Sequence, residues 1–388
     1  MTEAEAMYAE LLHTLQHLIP RTTYQDSRRL NTLVWAITGL CLTQTVRLSA
    51  WTEVAQSRTQ NAARRVRRFS RWLHHPSIIP ADWYRPVIQA ALSDWPVDQR
   101  LSVALDTTAL TPFVLIRACL VYRGRAMPLA WRAMRHRSTQ VSFQAYQPVL
   151  DQVRAIVPTS QQTTLLADRG FAHERLLHYL QEQQWHFRLR LPGDTLVHLH
   201  DSSISAIKDL CPPAGEQRFY QQVSVFEAGV GPVSLALTCL LDHSDDPWFV
   251  ASSEQTSAKT FDEYGLRFDI EETFRDDKSG SFQLQQSRLT TPDALERLLL
   301  ILAFATFYLT SLGVSVTLAQ KRSFVDHHWD RGLSYLQLGA RWRRQQVQHG
   351  WPSFVPFQLD PAPDPCPVLV SRRAILEGST TKNPSTAA

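Results

Sequence analysis

Apolar residues recur at helical spacing through the first quarter of the chain and then switch to a shorter period. Residues 4–18 carry one such helical pattern, closed by Pro20. Residues 27–48 predict a second helix, and residues 49–55 a serine-capped turn into a third. In SRTQNAARRVRRFSRWLHH, Val66, Phe69, Trp72 and Leu73 form an apolar stripe with arginines around it. Pro76, Pro80, Pro86 and Pro96 then lead into a region of different character. From Arg100 the pattern is that of strands: LSVALDTTAL, FVLIRACLVYRG and AMPLAWRAMR, arranged as a meander around Gly124. A helical segment (FQAYQPVLDQVRAIV), a short buried strand (TTLLADRGF), a helix (HERLLHYLQEQQ) and a further strand (WHFRLRLP) follow. The order strand, strand, strand, helix, strand, helix, strand predicts an α/β fold in which two strands run into aspartates, Asp106 and Asp168.

Residues 193–253 break the alternation. FYQQVSVFE and PVSLALTCLLD predict a hairpin and DDPWFVASS another strand, a β-rich insertion before the next helix. Residues 298–319 are uncharged and long enough to cross a bilayer. Thr306, Tyr308, Thr310, Ser311, Ser315 and Thr317 interrupt the run, and Thr290/Thr291 with Pro292 offer a helix start, so it reads as a buried core helix. Residues 31–46 form a shorter core helix of the same kind. After Ala319 the chain is basic and aromatic, then proline-rich over residues 352–367, and STTKNPSTAA predicts a disordered tail.

Composition adds that the 388 residues are core-forming, with 44% hydrophobic and 20% charged positions. Five scattered cysteines with no CxxC or Cys/His spacing argue against zinc and a disulfide framework and fit a reducing cytoplasm. The acidic, amphipathic N-terminus is not a signal peptide. A net charge of +4 decides little, but its distribution does. Residues 54–81 contain no acid and hold Arg58, Arg64, Arg65, Arg67, Arg68 and Arg71. Residues 107–150 likewise contain no acid against Arg117, Arg123, Arg125, Arg132, Arg135 and Arg137. Both tracts point to a polyanionic partner, and the helix around Arg64, Arg65, Arg67 and Arg68 suits contact with a DNA groove or backbone.

The chemistry concentrates in YGLRFDIEETFRDDK, residues 264–278. Read as one helix at about 100° per residue, Tyr264, Arg267, Glu271, Arg275 and Lys278 fall within roughly 80° of one another. Glu272 lies off that stripe, while Leu266, Ile270 and Phe274 supply the side that meets a core. A solvated helix face with i,i+4 ion pairs would show the same stripe. A strand-end aspartate is, taken singly, most often a turn or cap. Two strand-end aspartates followed by a helical glutamate are a set that holds two divalent ions for in-line attack on a phosphodiester. Magnesium, which keeps several waters, needs only these oxygen ligands, Asp106, Asp168 and Glu271.

These residues carry a family resemblance. Asp106 in ALDTTAL, Asp168 in LLADRGF, and the spacing Y-x2-R-x3-E-x6-K at Tyr264, Arg267, Glu271 and Lys278 resemble a DDE transposase of the insertion-sequence-four type, over roughly residues 100–320. The resemblance implies a ribonuclease H-like mixed sheet flanked by helices, with two Mg²⁺ (Mn²⁺ as a substitute) on the three acids. It also implies that Tyr264, Arg267 and Lys278 contact transposon-end DNA, and that a hairpin intermediate forms with a flipped base stacked on an aromatic. Trp185 and Trp248 are the candidates for that aromatic.

The expected organisation is a helical DNA-binding domain (1–98), a catalytic core (99–192 and 254–322), a β-rich insertion (193–253) and a basic, proline-rich C-terminal region (323–388). The expected function is cut-and-paste transposition on double-stranded DNA at terminal inverted repeats. The protein would work as a homodimer, in a prokaryotic cytoplasm at the nucleoid, with no membrane role. A nuclease on the same core and a catalytically silent DNA-binding regulator are the alternatives. Retention of all three acids in a chain that reads as full length favours the enzyme.

Overall fold

The computed structural model describes residues 2–57, 59–240 and 243–367. Arg58 and the tail STTKNPSTAA lie outside the described residues. The first helix, α1 (Glu3–Leu18), starts at a capping box in which Thr2 and Glu5 satisfy each other's backbone N–H. After the short α2 (Arg21–Tyr24), α3 (Ser27–Thr43) begins under an Asp26 cap. The helix expected over residues 27–48 stops early, because Gln44 takes a left-handed backbone (φ 52°) and the chain turns by 96° into α4 (Leu48–Val54). That helix begins after Arg47, not at the expected Ser49 cap. Asn61 caps α5 (Ala62–Leu73). The proline-marked stretch beyond it is no mere linker: Pro80 sits in the first turn of α6 (Pro80–Leu92), where its missing N–H costs nothing.

Strands β1 (Leu101–Leu110), β2 (Phe113–Tyr122) and β3 (Arg125–Arg135) form the antiparallel meander. Arg123 and Gly124, both at positive φ (52° and 79°), make the β2–β3 turn. Then come α7 (Phe143–Ile156), β4 (Thr163–Ala167), α8 (Glu174–Glu182) and β5 (His186–Arg190), with β4 parallel to β1 and β5 parallel to β4. All five residues of β4 are buried, as a parallel strand covered on both faces requires. The insertion supplies β6 (Leu196–His198), β7 (Ile204–Ala206), the hairpin β8 (Gln217–Val225) and β9 (Val230–Leu240), and β10 (His243–Ser252). Because β10 pairs antiparallel with β5, the insertion extends the sheet instead of forming a separate layer. The result is one mixed ten-stranded sheet in the order β3-β2-β1-β4-β5-β10-β9-β8-β6-β7.

The charged stretch is not the single regular helix its periodicity predicts. It runs as α9 (Ala258–Gly265), a 3-10 turn (Leu266–Phe268), α10 (Asp269–Arg275) and a wider π-type turn (Asp276–Gly280). Next is α11 (Pro292–Leu318), with Thr291 at its N-cap; 94% of its most apolar window is buried within the protein, as a core helix requires. Against it lies α12 (Tyr335–His349), a helix the sequence pattern did not announce. Their backbones touch at two glycines. A Cβ on Gly313 would stand 1.9 Å from the Tyr335 carbonyl oxygen, and one on Gly339 1.9 Å from that of Leu309. One continuous apolar cluster extends from Ala4 to Leu359, so the helical layer and the sheet share a core.

The arginines of the second acid-free tract mostly serve this core and not a surface. Arg117 forms a buried ion pair with Asp277, Arg125 pairs with Asp276 at 3.0 Å and Arg123 with Asp360 at 2.9 Å. Arg132 donates to the Ala145 carbonyl and Arg135 to that of Thr290. Their neutralising partners come from distant sequence, which is why the tract looked like an anion-binding face.

Candidate active site

Parallel pairing sets the first two acids. Leu105 on β1 stands beside Ala167 on β4, so Asp106 and Asp168, each one residue further on, lie side by side where the β1–β4 pairing ends; β4 stops there, but β1 does not end at its aspartate as expected and runs on to Leu110 against β2. The carboxyl end of a parallel pairing is where α/β sheets place ligand chemistry. Asp106 accepts a hydrogen bond from the Thr107 N–H at 2.7 Å. Asp168 occupies the N-cap position of the 3-10 turn Arg169–Phe171 but makes no side-chain cap bond, so its carboxylate is not spent on the turn.

The third acid arrives on α10. Ile270 and Phe274 seat the helix on Ala104, Cys119 and Ala126 of the sheet. Thr273 fixes its height, accepting from the Ala126 N–H at 2.9 Å and donating to the Ala126 carbonyl at 3.2 Å. Glu271 is thereby brought to the Arg267 guanidinium that also holds Asp106, while Glu272 pairs with the exposed Arg275 at 3.0 Å. Arg275 therefore leaves the stripe on which it was expected.

Arg267 ties the acids together. Its Nη1 meets Asp106 Oδ2 at 3.1 Å and its Nη2 meets Glu271 Oε1 at 2.8 Å. The side chain is 5% exposed, and Arg267 faces the carboxylates in this structure. Tyr264 is fully buried, and its hydroxyl donates to Asp168 Oδ1 at 3.3 Å. Lys278 is half-buried with no ion pair among the described residues, and burial lowers its pKa below the usual lysine value.

Of the two tryptophans, Trp248 lies edge-on to Tyr264 with ring centroids 5.2 Å apart, next to the acids but packed into a small aromatic cluster. Trp185 precedes β5, at the opposite end of the strands from Asp168, and is no neighbour of the site. Sequence reasoning missed Arg190 at the end of β5, whose Nη1 stands 3.9 Å from Asp168 Oδ1 and whose Nη2 is hydrogen-bonded to Asp246. It also missed the exposed Arg169, 3.4 Å from Asp246. The only signal for either was adjacency to a strand end.

Electrostatically, Asp106 is the stressed member. Burial pushes its pKa up to about 6 against the Arg267 guanidinium and the Thr107 N–H, with Glu271 and Asp168 adding to the rise. Burial opposes the charge on Arg267, but Tyr264 and the three acids outweigh it and hold the guanidinium above its usual value. An all-oxygen, anionic set whose charge already demands a cation fits a hard divalent ion. The residues that would hold it are Asp106, Asp168 and Glu271. Elsewhere, Asp326, His327 and His328 offer ligand atoms within 4.8 Å of one another. There the Asp326 carboxylate is already taken up by Arg322, His328 and the Gly332 N–H.

On α5 the four expected DNA-contacting arginines divide. Arg64 and Arg67 are exposed. Arg65 instead donates to the Thr52 carbonyl at 3.2 Å, and Arg68 to Thr32 Oγ1 and the Gln56 carbonyl, both at 3.2 Å.

Among solved structures, the chain is similar to the piggyBac transposase synaptic complex with hairpin DNA, at 11% identity and a TM-score of 0.44, covering 98% of this chain and 84% of that one. No curated protein sequence matches the chain. Residues 114–308, from the second strand of the meander through most of α11, match the family described as Transposase DDE domain. That span includes Asp168 and Glu271, while Asp106 lies eight residues ahead of it on the paired strand. By this match the chain belongs to the transposase DDE domain family.

Proposed function

We propose that this DNA transposase is of the insertion-sequence-four type, cutting an element at its terminal inverted repeats and joining it to target DNA. The observation that carries the proposal is the convergence of Asp106, Asp168 and Glu271 at one end of the sheet, held by Arg267. The order β1-β2-β3-α7-β4-α8-β5 supports a ribonuclease H-like core, with residues 193–253 as its insertion and residues 1–98 as a helical DNA-binding part. The three acids would hold two Mg²⁺, replaceable by Mn²⁺. Ions so placed supply activation of a water or 3′-hydroxyl and neutralisation of the departing oxygen.

The chain's own groups do the rest. Tyr264 fixes the orientation of Asp168 through its hydroxyl, and Trp248 braces Tyr264. Lys278, with no ion pair among the described residues, grips a phosphate of the processed end, and Arg64 and Arg67 hold duplex backbone. The resemblance supports a homodimer on DNA, a hairpin intermediate and action at the nucleoid. A silent DNA-binding regulator is disfavoured, since it has no use for three acids drawn into one place.

The test uses end-labelled duplex carrying the inverted repeat that brackets the gene. Asp106→Asn, Asp168→Asn and Glu271→Gln should each abolish Mg²⁺-dependent nicking and still shift the duplex on a gel; Glu272→Gln should nick normally. Nicking that survives Glu271→Gln but not Glu272→Gln would overturn the assignment. In the same time course, Lys278→Ala should retain first-strand nicks but accumulate little hairpin or fully cut product. Loss of all species in proportion to a lowered melting temperature would leave Lys278 as scaffolding.

A further inference from the structure

Arg267 places a cation between two of the three acids. The two terminal nitrogens of Arg267 reach different carboxylates, Asp106 at 3.1 Å and Glu271 at 2.8 Å, one on a strand and one on a helix. Its guanidinium lies against aromatic rings, the central carbon 4.6 Å from the Phe268 centroid and 5.9 Å from that of Tyr264. We propose that Arg267 is a stand-in for the divalent ion: in the free protein its guanidinium holds the place between Asp106 and Glu271, and a metal must displace it to bind. The proposal rests on the assignment of these acids as the metal site.

Three observations favour displacement over a fixed structural bridge. Arg267 Nε is buried with no hydrogen-bond partner among the described residues, so this pose leaves one donor unsatisfied. A phosphate oxygen pair would accept Nε together with a terminal nitrogen in the paired geometry guanidinium prefers, which gives the displaced side chain a better partner. Glu271 is 42% exposed on its side chain, so the arginine has an open flank on the glutamate side through which to leave. And Arg190, the other nearby cation, cannot take over. It stands 3.9 Å from Asp168 and is committed to Asp246 and the Pro247 carbonyl.

A regulatory consequence follows by linkage. If metal and arginine compete for the same carboxylates, and DNA phosphate draws the arginine away, then DNA strengthens metal binding and metal strengthens DNA binding by the same factor. The centre stays poorly metallated until a phosphate backbone is present, which restrains hydrolysis elsewhere.

The experiment titrates Mn²⁺ into the full chain without DNA and follows free ion by electron paramagnetic resonance, for wild type, Arg267→Gln, Arg267→Lys and Asp106→Asn. Competition predicts that Arg267→Gln binds Mn²⁺ about tenfold more tightly or better, in the usual range of coupling between linked sites. Arg267→Lys, which reaches one carboxylate at most, should fall between it and wild type. Thermal melts should show Arg267→Gln losing stability in EDTA and regaining more than wild type gains when Mn²⁺ is added. If Arg267→Gln does not fold, Arg267→Lys still decides, since affinity equal to wild type overturns the stand-in role. Equal or weaker binding by Arg267→Gln overturns it too, with the metal site left standing. Mn²⁺ binding that ignores Asp106→Asn would instead overturn the site assignment on which the proposal rests.

Discussion

At the scale of single residues, the conflict at Asp106 has a measurable outcome in pH. Its folded pKa of about 6 lies above the 3.8 of an ordinary aspartate, with burial as the main cause. A carboxyl raised on folding favours the protonated folded state. Its contribution to metal-free stability is therefore fully present below the unfolded value and is lost as pH rises through about 6. Metal binding runs the other way, because a ligand must shed its proton first. Mn²⁺ affinity should thus fall as pH drops through about 6, while the melting temperature in EDTA rises over the same interval. Asp106→Asn should flatten both curves, and a wild-type affinity independent of pH between about 5 and 8 would refute the role of this group. The three candidate acids could be picked from the sequence because strand pattern and helix phase are local, but the continuation of β1 past Asp106 to Leu110 could not, since the β2 partner that extends it lies beyond the turn. The partners Arg190 and Asp246 were not, since they meet only through the pairing of β5 with β10 across an insertion. Nor was the inward turn of Arg267, because a helical projection gives direction around the axis and says nothing of depth.

At the scale of elements, the charged stretch is shaped by what lies beneath it. A regular helix through Lys278 would keep its charged residues on steady 100° steps, but Asp276 and Asp277 are buried and belong to a widened turn. Each answers an arginine of the meander, Arg125 and Arg117, 151 and 160 positions away. The basic tract was read as a surface because sequence shows an arginine's neighbours along the chain and not those across it. Arg117 and Asp277 are almost wholly enclosed, at 2% and 4% side-chain exposure, so removing one strands the other without solvent. Asp277→Ala should cost about 3–5 kcal/mol in urea unfolding. Arg275→Ala, which removes a 70%-exposed arginine and its pair with Glu272, should stay within about 0.5 kcal/mol. Comparable losses for the two would mean that the buried pair does not fix the turn. The close crossing of α11 and α12 was equally hidden, since Gly313 and Gly339 are read as contacts only once the helices are laid together.

At the scale of the whole molecule, the helical layer is joined to the sheet through α11. Arg297 on that buried helix donates to the Leu73 and Ile78 carbonyls, capping the end of α5 from below at 3.1 and 2.9 Å. The position of α5 is thus set by the core, and its arginines sort into those that build this joint and those that project from it. Composition marked all four as a cationic face, whereas packing keeps only Arg64 and Arg67 outward and gives Arg65 and Arg68 to backbone carbonyls. Two paired variants separate the roles. Arg64→Gln with Arg67→Gln should weaken duplex binding and reduce the slope of log affinity against log salt by about two, one for each lost phosphate contact. Its melting temperature should stay near wild type, as exposed positions permit. Arg65→Gln with Arg68→Gln should instead lower the melting temperature and leave the salt slope close to wild type in the protein that remains folded, because hydrogen bonds that tie α5 to Thr52, Gln56 and Thr32 are lost. Gel shifts across a salt series, with melts on the same samples, distinguish the two. If the slope changes with Arg65 and Arg68 and not with Arg64 and Arg67, then α5 meets DNA through the opposite face, and the joint to α11 must open for it to do so.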